Sequence, residues 1–382
     1  MILFATMRLK LNSIELKGYK SINGAGGVLP INDDVTVLIG ANGVGKSNVV
    51  SFFQLLGYAM TGSLSTYIGE NGFADAFLYY GSKTTDCIKA KLHFSGEDSN
   101  NEYSFRLAYA AGDSLIFTEE TIQFKKTGRS KPFTLSLEAG NKESQLYEAK
   151  KGTYKDTVQV FINLLMNCRY FQFHDTTRDA KIRKKGYVGD NKYLRSNAGN
   201  LAAFLYRVKN QPGGEPYYNR IVRYIRQVMP QFGDFILEPS VIDSDYISLD
   251  WREKESDHVF SVNQISDGSL RFMALATLLL QPIKTMPSII VIDEPELGLH
   301  PSAISALAGM IKKASENAQV VLATQSPRLL DEFSADKVVV VERDEIHNTS
   351  VFRKLSSEQL KEWEEEFTMS ELWDKNVIGG RP

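Results

Sequence analysis

Hydrophobic and polar positions alternate with period two near the start of the chain. Leu9, Leu11, Ile14 and Leu16 interleave with polar residues and predict a strand over Arg8–Lys17, its period disturbed at Asn12–Ser13. Val35-Thr-Val-Leu-Ile39 predicts a buried strand, followed by a glycine-rich turn and a helix from Gly45 to about Met60. Between about Asp86 and Glu138 four segments read as strands: Ile88–Phe94, Tyr103–Tyr109, Leu115–Phe124 and Phe133–Leu137. Turn residues at Gly96–Ser99, Ala111–Asp113 and Lys126–Gly128 separate them, which predicts an antiparallel sheet inserted after the first helix.

A helix is predicted over Thr153–Met166 and a short strand over Tyr170–Phe173. The next stretch of about ninety residues reads as mainly helical and polar, broken at Gln211–Pro216, with short β segments at Phe235–Leu237 and Ile247–Trp251. Helix and strand then alternate: helix Leu270–Leu280, strand Ser288–Ile292, helix Ser302–Ala314, strand Gln319–Ala323, helix Pro327–Phe333 and strand Lys337–Val341. Short apolar strands alternating with helices predict a parallel sheet covered on both faces. Val35–Ile39 must join that sheet from far away, so the two ends of the chain close one discontinuous domain. A last helix, Ser357–Trp373, carries Glu358, Glu362, Glu364, Glu365, Glu366 and Glu371 and reads as a solvated or partner-facing tail.

With 382 residues, 43% of them hydrophobic, the chain can bury a full core without disulfides or metal. Its net charge of −2 excludes a uniformly basic nucleic-acid coat protein but not a local basic patch. Cys87 and Cys168 are too few for a disulfide framework and read as packing residues in a reducing compartment. The longest apolar run, Met273–Leu280, falls far short of the ~18 residues of a membrane span. Met1–Ile14 has neither the basic–apolar order nor the small-residue cleavage site of a secretion signal, so a cytoplasmic protein with no membrane contact is expected. No internal repeat or low-complexity tract interrupts the pattern.

The chemistry is concentrated in two places. Gly40-Ala-Asn-Gly-Val-Gly-Lys-Ser47 matches G-x-x-x-x-G-K-S in full, between a buried strand and a helix. Glycines let successive backbone N–H groups point at phosphate oxygens, Lys46 would place its ammonium between the outer phosphates, and Ser47 would ligate Mg²⁺. Far downstream, Ile289–Asp293 is an apolar strand ending in the carboxylates Asp293 and Glu294. Asp293 can hold the Mg²⁺ shell, and Glu294 can polarise the attacking water. About 25 residues before that strand, Ser266-Asp-Gly268 opens a helix.

In this order the set resembles ATP-binding-cassette ATPases, with Leu297-Gly-Leu-His-Pro301 and Ala323-Thr-Gln-Ser-Pro327 continuing the likeness. The opening Ile14-Glu-Leu-Lys-Gly-Tyr-Lys-Ser-Ile22 and Phe171-Gln-Phe-His-Asp-Thr-Thr177, at the Q-loop position, are similar to the RecF/SMC-like branch and its OLD-type and Septu-type defence ATPases. The resemblance implies an α/β fold: a discontinuous P-loop ATPase head of mostly parallel sheet with flanking helices, an inserted antiparallel β subdomain and a helical lobe. The expected boundaries are 1–85 and 258–345 for the head, 86–150 for the β insertion, 151–257 for a locally basic helical lobe and 346–382 for a helical tail.

It further implies that Gly40, Asn42, Gly43, Gly45, Lys46, Ser47 and Asn48 cradle ATP–Mg²⁺, with Lys20 and Ser21 nearby. Ser266 and Gly268 would reach the outer phosphate of ATP held by a second subunit, giving a head-to-head homodimer with two sandwiched ATP molecules. Two positions depart from the family. The switch residue is Gln325, which can sense a phosphate but carries no charge. The Q-loop residue is either Gln172, favoured because a neutral amide oxygen suits a Mg²⁺-linked water, or His174; the two fall on one face.

The 94-residue gap from Gln172 to Ser266 has no sustained heptads, so there is no SMC-type arm, and no nuclease-like cluster follows Val341. Arg178–Arg226 carries twelve Lys and Arg against three Asp and Glu; Arg183–Lys185 with Tyr187 and Tyr193, and Arg220, Arg223 and Arg226 beside Tyr224, could contact nucleic acid, an acidic partner, or only solvent. The expected function is an ATP-hydrolysing head that dimerises on ATP and couples this to DNA or to a separate effector nuclease or toxin, in antiphage defence. A slowly or non-hydrolysing scaffold that holds an effector inactive, and a DNA repair or recombination ATPase, are the alternatives.

Overall fold

The computed structural model describes residues 9–129, 131–240 and 242–381. Arg8, the first residue of the strand predicted over Arg8–Lys17, and residues 1–8 of the stretch weighed as a secretion signal lie outside the described residues. The chain divides into two compact units, Met1–Arg169 with Ser334–Pro382, and Tyr170–Phe333.

In the first unit a six-stranded antiparallel sheet runs in the order Gly27–Pro30, Lys10–Lys17, Cys87–Gly96, Ser99–Ala110, Ser114–Lys126, Phe133–Ser136. Its period-two pattern puts Ile88, Ala90, Leu92 and Phe94 on the buried face, with Lys89, Lys91 and His93 on the other. The opening strand, expected with the ATPase head, belongs to this sheet, Leu16 lying opposite Ala90. Val35–Ile39 is buried at all five positions. It runs parallel to Val338–Asp344, with Val37, Leu38 and Ile39 opposite Val338, Val339 and Val340. Thr349–Lys354 then pairs antiparallel with Val338–Asp344. That last strand was unforeseen and occupies part of the stretch expected as a helical tail; Asn348, at φ 52, makes the turn into it. The helix Lys46–Met60 buries Phe52, whose ring stacks on Phe105 of the antiparallel sheet with centroids 6.4 Å apart.

The tail helix predicted over Ser357–Trp373 is two helices, Ser357–Glu364 and Met369–Asp374. Thr368 starts the second, its side chain accepting from the Glu371 amide while Glu371 reaches back to the Thr368 amide. This capping box satisfies helix-end donors that a continuous helix would not leave open.

The second unit holds a parallel pair, Ile289–Asp293 beside Gln319–Ala323, buried at all ten positions. The helix Pro301–Ser315 makes the crossover between them, and Asp267–Leu280 packs against that helix. Among the described residues between 174 and 264, only Leu201–Asn210 and Glu215–Val228 are α-helical. The predicted helicity of this lobe fails over 184–200, where Gly186, Gly189, Gly199 and the Asp/Asn/Ser positions favour turns. Phe232–Ile236, Asp250–Glu253 and Val259–Phe260 form a small antiparallel sheet around Trp251. The helix predicted over Pro327–Phe333 stops at Leu330. Among the described residues no helix is long and apolar enough to cross a membrane, and both cysteines are buried free thiols.

One buried carboxylate braces the first unit. Glu120 is 1% exposed and accepts from the Tyr103 hydroxyl at 2.7 Å, the Ser144 hydroxyl at 2.5 Å and the Gln145 amide at 2.9 Å, pinning the loop before Leu146 onto the sheet. Burial pushes its pKa up, with the three hydrogen bonds pulling the other way. A carboxyl whose folded pKa is raised stabilises the fold most at low pH and loses that contribution as pH rises through the folded value. Urea denaturation across pH should therefore show wild-type stability falling, relative to Glu120→Gln, as pH rises above the ordinary glutamate range; a difference that does not vary with pH would contradict this.

Candidate functional site

The phosphate loop lies in the first unit. Gly40, Gly43 and Gly45 have φ of 153°, 79° and 116°, the region open to glycine. Two of them are also crowded: a Cβ on Gly40 would sit 2.2 Å from the Val341 carbonyl oxygen, and one on Gly45 2.4 Å and 2.6 Å from the hydroxyls of Ser350 and Ser21. The loop is thus moulded against the C-terminal strands. Lys46 is 5% exposed and donates to the carbonyls of Gly40 at 2.6 Å and Ala41 at 2.9 Å, so its ammonium lies along the loop. Ser47 is exposed on the first helical turn, as are Asn42 and Gly43 in the loop.

Behind the loop, Asn48 donates to Ser21 at 2.7 Å, and the Ser350 hydroxyl meets Ser21 at 2.7 Å and the Val44 carbonyl. Ser21 and Asn48 were expected here; Ser350 was not. Lys20 sits at φ 48, its ammonium on the Ser51 hydroxyl at 3.0 Å and over the Tyr19 and Phe77 rings, and burial lowers its pKa. Left-handed glycines and a buried lysine at a helix start fit a nucleotide's phosphates, and the exposed Ser47 beside them fits Mg²⁺.

The carboxylates lie in the second unit. Asp293 ends its strand 8% exposed. Glu294 follows at φ 41, a left-handed conformation costing a side-chain residue about 1–3 kcal/mol, and is held there as its amide donates to the Ala323 carbonyl at 2.8 Å. The amide of Gln325 donates to the Glu294 carboxylate at 2.7 Å, joining the predicted base to the predicted switch. Of the two Q-loop candidates, His174 reaches the acidic strand end: its Nε2 lies 3.0 Å from the Asp293 carbonyl oxygen, and Gln172 donates to its Nδ1 at 3.0 Å. A carbonyl only accepts, so Nε2 carries the proton and Nδ1 is free to accept from Gln172. Tyr170 in turn donates to Gln172.

Ser266 caps the helix Asp267–Leu280, its hydroxyl accepting from the Ser269 amide at 3.2 Å. A Cβ on Gly268 would lie 2.4 Å from the Gly298 carbonyl oxygen, so only glycine lets this helix start close against the turn that follows Glu294. Arg271, which the sequence did not mark, ties three segments together. It donates to the carbonyls of Phe173 at 3.2 Å, His174 at 2.7 Å and Leu297 at 3.0 Å.

Arg183 corrects an expectation. Its three weighed roles, contact with nucleic acid, with an acidic partner or with solvent, all need exposure, yet its side chain is 6% exposed and spends its donors on the carbonyls of Thr176 at 2.7 Å, Val262 at 2.6 Å and Ile265 at 3.1 Å, and on Asp267 at 2.8 Å. It clamps the start of the Ser266-capped helix, and its hydrogen bond holds the Asp267 carboxyl below the usual range. Arg226, though bonded to the Gly233 carbonyl, stays exposed and lines the same polar groove as Arg220 and Arg223 on Glu215–Val228.

Residues 35–331 match the family model described as "AAA domain, putative AbiEii toxin, Type IV TA system". No curated protein matches the chain. Among solved structures, an Smc head bound to the C-winged helix domain of ScpA is similar at TM-score 0.58 and 17% identity, covering 92% of this chain and 99% of that one. An Smc head with an extended coiled coil from Pyrococcus furiosus, bound to the C-terminal domain of ScpA, gives 0.58 at 16% identity, covering 94% and 99%. One with a coiled coil and joint from Pyrococcus yayanosii gives 0.53 at 12% identity, covering 94% and 99%. At these identities the likeness establishes the fold: the α/β P-loop ATPase head expected from the motifs.

Because Gly45 is both left-handed and enclosed by two hydroxyls, Gly45→Ala should weaken binding of a fluorescent ATP analogue by at least about tenfold, about 1.4 kcal/mol. The circular dichroism spectrum should be unchanged; wild-type affinity in this variant would show that the loop tolerates a side chain.

Proposed function

Since the chain belongs to this AAA-domain family of SMC- and RecF-like ABC-type ATPases, we propose that it binds ATP with Mg²⁺ and hydrolyses it. The observation that carries this reading is the Gly40–Ser47 loop, with its left-handed glycines and buried Lys46 at a helix start. In it, Lys46 and the loop amides hold the phosphates; Ser47 would offer a metal its hydroxyl and Asp293 its carboxylate, each in the role its own motif implies. Mg²⁺, when bound, screens phosphate charge and favours departure of ADP. Glu294 takes the proton of the attacking water as the new P–O bond forms and the bond to the ADP oxygen breaks. Gln325, on the Glu294 carboxylate, orients that base, and His174 with Gln172 braces the Asp293 end of the strand.

Hydrolysis is coupled, in this reading, to a head-to-head homodimer in which Ser266 and Gly268 of one copy complete the site of the other. The exposed N-cap of the Ser266 helix supports that role, since its open donors suit a phosphate. The family description's reference to a putative toxin of a TA system favours a defence setting. That similar Smc heads are bound to ScpA domains supports a docked partner protein on this fold.

Glu294→Gln should lower ATP turnover by at least about 100-fold and trap an ATP-dependent dimer in size-exclusion chromatography. A single mass with and without ATP would sink the dimer, and wild-type turnover would remove Glu294 as the base. Nucleic acid, if it binds, meets Arg220 and Arg223 rather than Arg183. Reversing both charges should then abolish salt-sensitive DNA binding in filter-binding titrations, while binding unchanged by the reversal leaves that face as solvated surface.

A further inference from the structure

Two residues past the proposed base, a second carboxylate has no part in the chemistry assigned so far. One oxygen of Glu296 accepts from the Thr324 hydroxyl at 2.6 Å and from the Gln325 amide at 3.3 Å. Its other oxygen is shut off from solvent and meets no hydrogen-bond donor among the described residues. The Thr324 hydroxyl also accepts from the Ser326 amide at 3.0 Å, and Thr324 is fully buried. A closed path therefore leads from Glu296 through Thr324 to the Gln325 backbone, and from the Gln325 side chain back to Glu294 at 2.7 Å. The two acids are separated by Pro295, which fixes the chain between them.

We propose that Glu296 is a positioning residue: it anchors the Thr324–Gln325 backbone so that the Gln325 amide stays on the Glu294 carboxylate. This rests on the hydrolytic reading of Glu294 and Gln325. A free Gln325 side chain has several rotamers, and only one of them meets Glu294; holding its backbone removes much of that freedom. Burial pushes the Glu296 pKa up and the charge of Glu294 adds to this, while the hydrogen bonds from Thr324 and Gln325 pull it down. A glutamine there keeps a carbonyl oxygen for Thr324 and Gln325. An alanine keeps nothing.

The test uses the full-length chain in three variants, Glu296→Gln, Glu296→Ala and Thr324→Val, read by steady-state ATP turnover and by hydrogen exchange at the amides of residues 325 and 326. Glu296→Ala should lower kcat by at least about 30-fold with KM changed less than about threefold, and should speed exchange at both amides by about tenfold or more. Glu296→Gln should keep kcat within about fivefold of wild type and leave exchange unchanged. If the alanine variant does not fold, Thr324→Val carries the test, with a turnover loss of about tenfold and faster exchange at residue 326. Unchanged exchange in Glu296→Ala, or in Thr324→Val where the alanine variant fails, would overturn the proposal, as would a glutamine variant as impaired as alanine. Wild-type turnover in Glu294→Gln would instead remove the hydrolytic reading, and exchange alone would then decide whether Glu296 anchors the turn.

Discussion

The first unit depends on a pairing between strands about three hundred residues apart. Val35–Ile39 is buried at all five positions, Thr36 included, and its parallel partner comes from Val338–Asp344. The same partner strand supplies the Val341 carbonyl that leaves room only for glycine at residue 40. Thr349–Lys354, paired in turn with that strand, brings Ser350 to the back of the loop against Ser21 and the Val44 carbonyl. The phosphate loop is therefore shaped from outside itself: its glycines permit the curl, and the carboxyl-terminal strands decide which curl it is.

In the second unit, main-chain carbonyls play the corresponding role. Arg271 and Arg183 between them engage the carbonyls of Phe173, His174, Leu297, Thr176, Val262 and Ile265. Each guanidinium has five donors in a rigid plane, which lets one side chain hold two or three segments at once. Segments from the Q-loop position, the capped helix and the turn after the acids are thereby fixed relative to one another. The strained backbone at Glu294 sits inside this frame, and its φ of 41° persists because the neighbouring contacts over-determine it.

Much of this was readable in the chain before any coordinates. The phosphate loop and the acidic strand are contiguous, and their neighbours carry the periodicity of the elements that present them. The four strands from Cys87 to Ser136 were readable because alternation persists over many residues with turn residues between. What escaped notice lacked local spacing. Ser350 matters only through a strand pairing, and Arg271 and Arg183 matter through carbonyls, which every residue possesses. The role of Arg183 stays open in the sequence because a cluster of basic residues looks the same whether it faces solvent or backbone. The break in the tail was legible after all: Thr368 three residues before Glu371 is a helix-start signal that the run of glutamates obscured.

Lys46 offers a last consequence. Its ammonium already donates to two carbonyl oxygens, so an incoming anion must draw it from partners within the protein and not only from bulk water. A singly charged oxyanion would gain little over such ligands, whereas a polyanion, attracting the ammonium from several oxygens at once, would gain much more. Charge density therefore adds to the moulded shape of the loop in favouring a polyanion at Lys46.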